Sequence, residues 1–217
     1  MNSSADTPRI TLWGRTNSMN VQKVLWVLDA LGLPYQRIDA GMQFGVNNTP
    51  EYLAMNPNGK IPVLRDGDFT IWESSAICRY LCNKYQSEAL YPRDAQARAL
   101  VDQWIDWAGT TLFGSLSTVF WQTLRVPEAQ RDMKKVQEES GKVVSAVEIM
   151  NQQLSKTAFL AGAQFTLADL SVAAAIFRCL GLGLIAENNP QLAPLMAWFG
   201  RLRQAPEFKR WVEQPLT

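Results

Sequence analysis

Residues 56–77, NPNGKIPVLRDGDFTIWESSAI, constrain the fold of this chain more tightly than any other stretch. Two apolar runs, IPVL and FTIW, flank an Asp-Gly pair, a strong short-range signal for a β-hairpin. Pro62 stands at the mouth of the first run, where a residue without an N–H does least harm to a sheet ladder. Glu73, Ser74 and Ser75 follow the second run, at the start of a helical segment, SSAICRYLCNKY. A proline at a strand mouth and a carboxylate with two hydroxyls at a helix start are the features any functional reading must explain.

Upstream, RITLW (9–13) is a short β-favouring run, and VQKVLWVLDALGL places Val21, Val24, Leu25, Leu28 and Leu31 on one helical face before Gly32. YQRID returns as a second strand. TPEYLAM reads as a short helix entered through Thr49, with Pro50 at the first helical position, where its missing N–H costs nothing. The order β-α-β-α-β-β-α, complete by about residue 85, is that of a thioredoxin-like α/β domain. QSEALYPRD (86–94) is polar and reads as a linker. Beyond it, residues 95–217 lack a convincing strand. AQARALVDQWIDWAGTTLFGSLSTVF carries two apolar stripes, one through Leu100, Trp104 and Trp107 and one through Val101, Ile105, Ala108 and Leu112, so this helix is packed on two sides. A further helix is expected from about Pro127, with Met133, Val136, Val143, Val147, Met150 and Leu154 at helical spacing, which makes the second domain an all-α bundle. Within it, FTLADL pairs Thr166 with Asp169 as a capping box and spaces Phe165 and Leu170 as a hydrophobic staple, fixing a helix start inside the bundle.

Composition removes several classes of function. With 21 Lys and Arg against 20 Asp and Glu, the net charge of +1 gives no whole-chain attraction to nucleic acid or to an anionic membrane. MNSSADTPR lacks the apolar core of a signal peptide, and SVAAAIFRCLGLGLIA is interrupted by Arg178 and too short to span a bilayer, so a cytoplasmic protein is expected. The three cysteines, Cys78, Cys82 and Cys179, form no CxxC pair and read as reduced thiols. There is no histidine, which removes Ser-His and Cys-His nucleophiles and His-based zinc sites; no metal is expected. Any chemistry must come from hydroxyls, amides, carboxylates or a reactive group carried by a ligand.

The first domain with NPNGKIPVL and WESSAI, followed by a helical domain containing FTLADLSVA, resembles the cytosolic glutathione transferases, with serine-type, theta- or phi-like members nearest in pattern. The resemblance covers nearly the whole chain and implies a homodimer of two-domain subunits, with glutathione as co-substrate on the first domain and a small electrophile beside the second. Glutathione has a glutamyl end with an ammonium and a carboxylate, a cysteinyl middle with a free peptide edge, and a glycine carboxylate. A helix start offers free N–H groups and positive partial charge, so Ser74 is expected to seat the glutamyl carboxylate and Glu73 to hold the ammonium. The resemblance implies a cis bond before Pro62, turning the Ile61 backbone toward the cysteinyl segment as an added strand. Lys60 stands where a cation could meet the glycine carboxylate.

A free thiol ionises near pH 8.5, so attack at neutral pH needs a stabilised thiolate. In the family a Ser, Tyr or Cys just after the first strand does this. Counting back from Val24 places Ser18 in that slot of WGRTNSMNVQKV, and Asn20, whose amide N–H₂ also donates, is a second candidate. No cysteine occupies the slot, which disfavours the family's disulfide-forming type. Trp107, Phe113 and Phe120 are available to line an apolar pocket. The implied activity is conjugation of the glutathione thiolate to an apolar electrophile. Glutathione-dependent reduction of peroxides or disulfides, and a non-catalytic binding or assembly role, are the alternatives.

Overall fold

In the computed structural model, which describes residues 9–216, strand β1 (Ile10–Trp13) is buried at all four positions. Such burial requires a neighbour on each edge and a cover on each face. The sheet order β2-β1-β3-β4 supplies the neighbours: β2 (Tyr35–Ile38) is parallel to β1 across helix α1 (Met19–Ala30), and β3 (Val63–Asp66) is antiparallel to it. Strand β4 (Phe69–Trp72) completes the hairpin as an edge strand, with Phe69 and Trp72 exposed. Helix α2 (Pro50–Met55) is capped by the Thr49 hydroxyl, which accepts from Tyr52 N, and α3 (Ser74–Lys84) packs against α1. The N-terminal segment read for a signal sequence lies outside the described residues, Arg9 excepted.

The Asp-Gly pair spans the entry of the hairpin turn rather than its centre. Its two central residues are Gly67 and Asp68, with Gly67 at a φ of 61°, and Asp66 is the last strand residue, paired with Phe69. The reason is the Asp66 side chain, which is buried. It accepts from Arg9 Nε at 2.6 Å, from Tyr80 Oη at 3.0 Å and from Lys84 Nζ, pinning the end of β3 to α3. Burial alone pushes this carboxyl up, but the hydrogen bonds from Lys84, Arg9 and Tyr80 outweigh it and hold it below its ordinary range. Helix α1 is also less one-sided than its apolar spacing predicts. Every residue from Val21 to Leu28 is buried, Gln22 and Lys23 among them.

A second compact unit begins at Ser87. The segment read as a linker is tied into it: Leu90 and Tyr91 are buried, Leu90 O accepts from Leu167 N at 2.9 Å, and Tyr91 Oη donates to Asp102. Helix α4 (Ala95–Trp107) passes through a π turn over Ala108–Leu112 into α5 (Phe113–Leu124). Helix α6 (Met133–Leu154) starts later than the sequence suggests, because the Asp132 carboxylate caps Lys135 N at 3.0 Å, and Met133 is exposed. Helices α7 (Leu167–Gly181) and α8 (Ala193–Leu202) complete the unit, with α5 packed on α6, α4 on α7 and α6 on α8. The apolar run SVAAAIFRCLGLGLIA is largely α7, an interior helix, and none of the described helices is long and apolar enough to cross a membrane. Thus a thioredoxin-like α/β unit precedes an all-helical one.

Asp169 is the centre of the helical unit. Its Oδ2 accepts from Thr166 N at 3.0 Å, as a capping box requires, while Oδ1 accepts from Leu160 N and from Trp198 Nε1, both at 2.9 Å. The capping carboxylate therefore also ties α7 to the Leu160 loop and to α8. Burial raises its carboxyl above the ordinary range against those hydrogen bonds.

Candidate functional site

The strand register decides which sequence-predicted residues can meet. Trp13 pairs with Val63, and Val63 with Trp72. The chain leaving β1 toward Ser18, the chain entering β3 through Ile61 and Pro62, and the chain leaving β4 into Glu73 and Ser74 therefore lie at one end of the sheet. Asp66 and its partners lie at the other. Lys60, Ile61, Pro62, Glu73, Ser74, Ser18 and Asn20 are thus gathered by three strand ends.

The Ile61–Pro62 peptide is cis. The residues before it are fastened from several sides. Lys60 O accepts from Tyr52 Oη and from Asn56 Nδ2, each at 2.8 Å. The Asn56 side-chain Oδ1 caps the following turn by accepting from Asn58 N at 3.0 Å, and Asn47 Nδ2 donates to Gly59 O at 2.7 Å. The Ile61 side chain packs into a cluster with Trp13, Tyr52 and Val63. Gly41 covers it: a Cβ there would stand 3.0 Å from Ile61 Cδ1, and its φ of 83° suits glycine alone. Lys60 itself is exposed.

Glu73 carries a φ of 71°, in the left-handed region, immediately before α3. For a residue other than glycine this conformation costs on the order of 1–3 kcal/mol and is characteristic of sites where geometry is imposed. It leaves the Glu73 carboxylate exposed and makes no side-chain cap for α3. The first-turn N–H groups of an eleven-residue helix are thereby left to another anion. Ser74 is buried at the helix start, and its hydroxyl donates to Asn20 Oδ1 at 3.3 Å.

Ser18 is the N-cap residue of α1 by backbone geometry, with φ −91° and ψ 121°, yet its side chain makes no capping hydrogen bond. The capping role that a serine at a helix start ordinarily plays is not the role of this one. Asn20, two residues on, is exposed, and its Oδ1 also accepts from Lys23 Nζ at 3.1 Å. The three cysteines take no part: all are buried free thiols, and burial raises each, Cys82 and Cys179 to about 12. Of the aromatics in the helical unit, Phe120 is buried with the Arg178 guanidinium 4.4 Å over its ring, and Trp107 packs edge-on against Trp104.

Several residues that build this region were not singled out in the sequence. Tyr52, Asn56, Asn47 and Gly41 set the chain before Pro62, and Lys23 holds Asn20. The NPNG stretch carried a usable signal, since an Asn two residues before another hydrogen-bonding N–H is a common turn device. Lys23 carried none, because a lysine in a helix reads as solvent-facing.

Comparison with known proteins identifies the family. The sequence model of the glutathione S-transferase N-terminal domain matches residues 8–83, and that of the C-terminal domain matches residues 114–214. Glutathione S-transferase GstB of Escherichia coli strain K12 is 35% identical over 210 residues, spanning 96% of this chain and 100% of the relative. Human glutathione S-transferase theta-2 is 35% identical over 176 residues, covering 79% of this chain and 71% of its own length. Among solved structures, the theta class glutathione S-transferase of Xanthomonas axonopodis pv. citri with glutathione bound superposes with a TM-score of 0.89 at 38% identity, covering 97% of this chain and 100% of that one. With both domains matched in order and relatives aligned along nearly the entire sequence, this chain belongs to the glutathione S-transferase family.

Proposed function

We propose that this protein is a glutathione transferase that binds glutathione at the sheet end formed by Ile61, Pro62, Glu73 and Ser74 and conjugates its thiolate to a small apolar electrophile. The observation that carries the reading is the convergence, through the register Trp13–Val63–Trp72, of an uncapped helix start, a cis-proline strand mouth and an unused serine hydroxyl. The family's relatives support the co-substrate, one of them by its bound glutathione.

In this reading the glutamyl carboxylate sits on the first-turn N–H groups of α3 and accepts a hydrogen bond from the Ser74 hydroxyl, which turns away from Asn20. The exposed Glu73 carboxylate meets the glutamyl ammonium. The Ile61 backbone adds the cysteinyl segment as a strand, and Lys60 meets the glycine carboxylate. The thiol loses its proton to water, and the thiolate accepts hydrogen bonds from the Ser18 hydroxyl or the Asn20 amide near the positive end of α1. Its lone pair then forms the C–S bond, while the electrophile's leaving group departs with the electron pair of the broken bond. No enzyme–substrate covalent bond forms; catalysis is orientation plus stabilisation of the thiolate. As the resemblance implies, the protein acts as a cytoplasmic homodimer, and the exposed Phe69 and Trp72 of β4 are apolar surface available for pairing.

The test is to incubate the purified protein with reduced glutathione and, in turn, an activated aryl halide, an epoxide, an unsaturated aldehyde and an organic peroxide. Thioether formation, saturable in glutathione, is the expected result. Turnover of the peroxide alone would move the assignment to the reductase reading.

A further inference from the structure

Lys23 is the least expected residue in this region. It lies in the middle of α1, is only 3% exposed, and directs its Nζ at Asn20 Oδ1, 3.1 Å away, one helical turn toward the N-terminus. Taking a lysine head out of water is costly, and an apolar side chain at position 23 would avoid that cost. The stereochemistry of the contact is informative. An ammonium has hydrogen-bond donors only, so the Asn20 atom facing it is the carbonyl oxygen, and the N–H₂ group faces the opposite way. The Ser74 hydroxyl reaches the same oxygen from α3 at 3.3 Å. Asn20 is exposed, whereas Lys23 and Ser74 are buried, so the oxygen is turned into the protein and the N–H₂ group toward the open side.

We propose that Lys23 is a positioning residue for the thiol end of the site: it holds the Asn20 amide with N–H₂ outward, as a donor to the thiolate. The inference rests on the glutathione reading above. It also explains why two anchors are needed. The Ser74 hydroxyl has a single O–H to donate, and once it hydrogen-bonds to the glutamyl carboxylate it no longer holds Asn20. Lys23 is then the remaining anchor, and Asn20 stays aimed while the ligand is bound.

The experiment compares the parent protein with Lys23→Met, Lys23→Gln, Asn20→Ala and the Lys23→Met/Asn20→Ala double variant. Calorimetry establishes glutathione binding, and ultraviolet absorbance of the bound thiolate is followed across a pH series. In Lys23→Met and in Asn20→Ala, the pH at which half the bound glutathione is thiolate is expected to rise by about one unit, leaving about tenfold less thiolate below that pH. The double variant is expected to shift no further, because both changes remove one interaction. Lys23→Gln, which retains a donor, is expected to recover part of the loss. Ionisation unchanged in a Lys23→Met protein that binds glutathione would reduce Lys23 to a packing residue. Ionisation unchanged in Asn20→Ala would overturn the proposal even if Lys23→Met fails to fold. Failure of the parent to bind glutathione would overturn the underlying reading instead, and the calorimetry separates the two.

Discussion

Ser18→Ala is expected to lower kcat/KM for conjugation about a hundredfold, while the midpoint of unfolding stays where it is. Removing one preorganised donor from a developing or resident anion costs on the order of 10²–10³ in rate. Alanine at a helix N-cap ordinarily costs about 1 kcal/mol because the side chain's bond to a first-turn N–H is lost. At Ser18 no such bond exists, so there is nothing of that kind to lose. Activity and stability should therefore separate in this variant, and paired measurements of steady-state kinetics and urea unfolding check the separation. A variant that keeps its rate and loses about 1 kcal/mol would make Ser18 an ordinary cap after all. A variant that keeps both would pass the thiolate to Asn20.

The largest expected loss of stability lies far from this chemistry. Asp169→Ala removes the common acceptor of Leu160 N, Thr166 N and Trp198 Nε1, all within 3.0 Å of a fully buried carboxyl. A buried donor without its acceptor costs about 1–3 kcal/mol, and local relaxation recovers part of that when several are lost together. The expected destabilisation is about 3–5 kcal/mol, a large share of the 5–15 kcal/mol by which domains of this kind are usually stable. Asp169→Asn should fare little better, because whichever way the amide lies, its N–H₂ group faces another donor. Urea unfolding of the purified variants measures both. A loss below about 1 kcal/mol would mean that the loop and α8 find other partners and that Asp169 is a simple cap.

Much of this molecule is legible in its sequence, and the exceptions have physical causes. The hairpin, the helix entered through Thr49 and Pro50, and the Thr166–Asp169 box are local devices whose partners lie within a few residues, so spacing alone reveals them. The Asp-Gly pair marks the hairpin without fixing its centre, since the same dipeptide can be the centre of a turn or its entry. The choice was made by Arg9, Tyr80 and Lys84, up to 57 positions away from Asp66. Helix α6 starts after Asp132 rather than near Pro127 because the Asp132 carboxylate caps it. At the candidate site, Ser18, Asn20, Ile61, Pro62, Glu73 and Ser74 were reached through motifs and resemblance. The left-handed backbone at Glu73 and the burial of Lys23 are consequences of packing that no spacing rule encodes.

The central claim is that glutathione is held at the start of α3, and isothermal titration of the protein with reduced glutathione tests it directly, with Ser74→Ala and Glu73→Ala beside the parent. Saturable binding by the parent, weakened about tenfold or more in each variant, is the predicted result, because each variant removes one charged or charge-assisted contact worth about 1.5–3 kcal/mol. Equal affinity in all three proteins would contradict the account, since glutathione would then be bound somewhere other than the end of the sheet where Pro62, Glu73 and Ser74 meet.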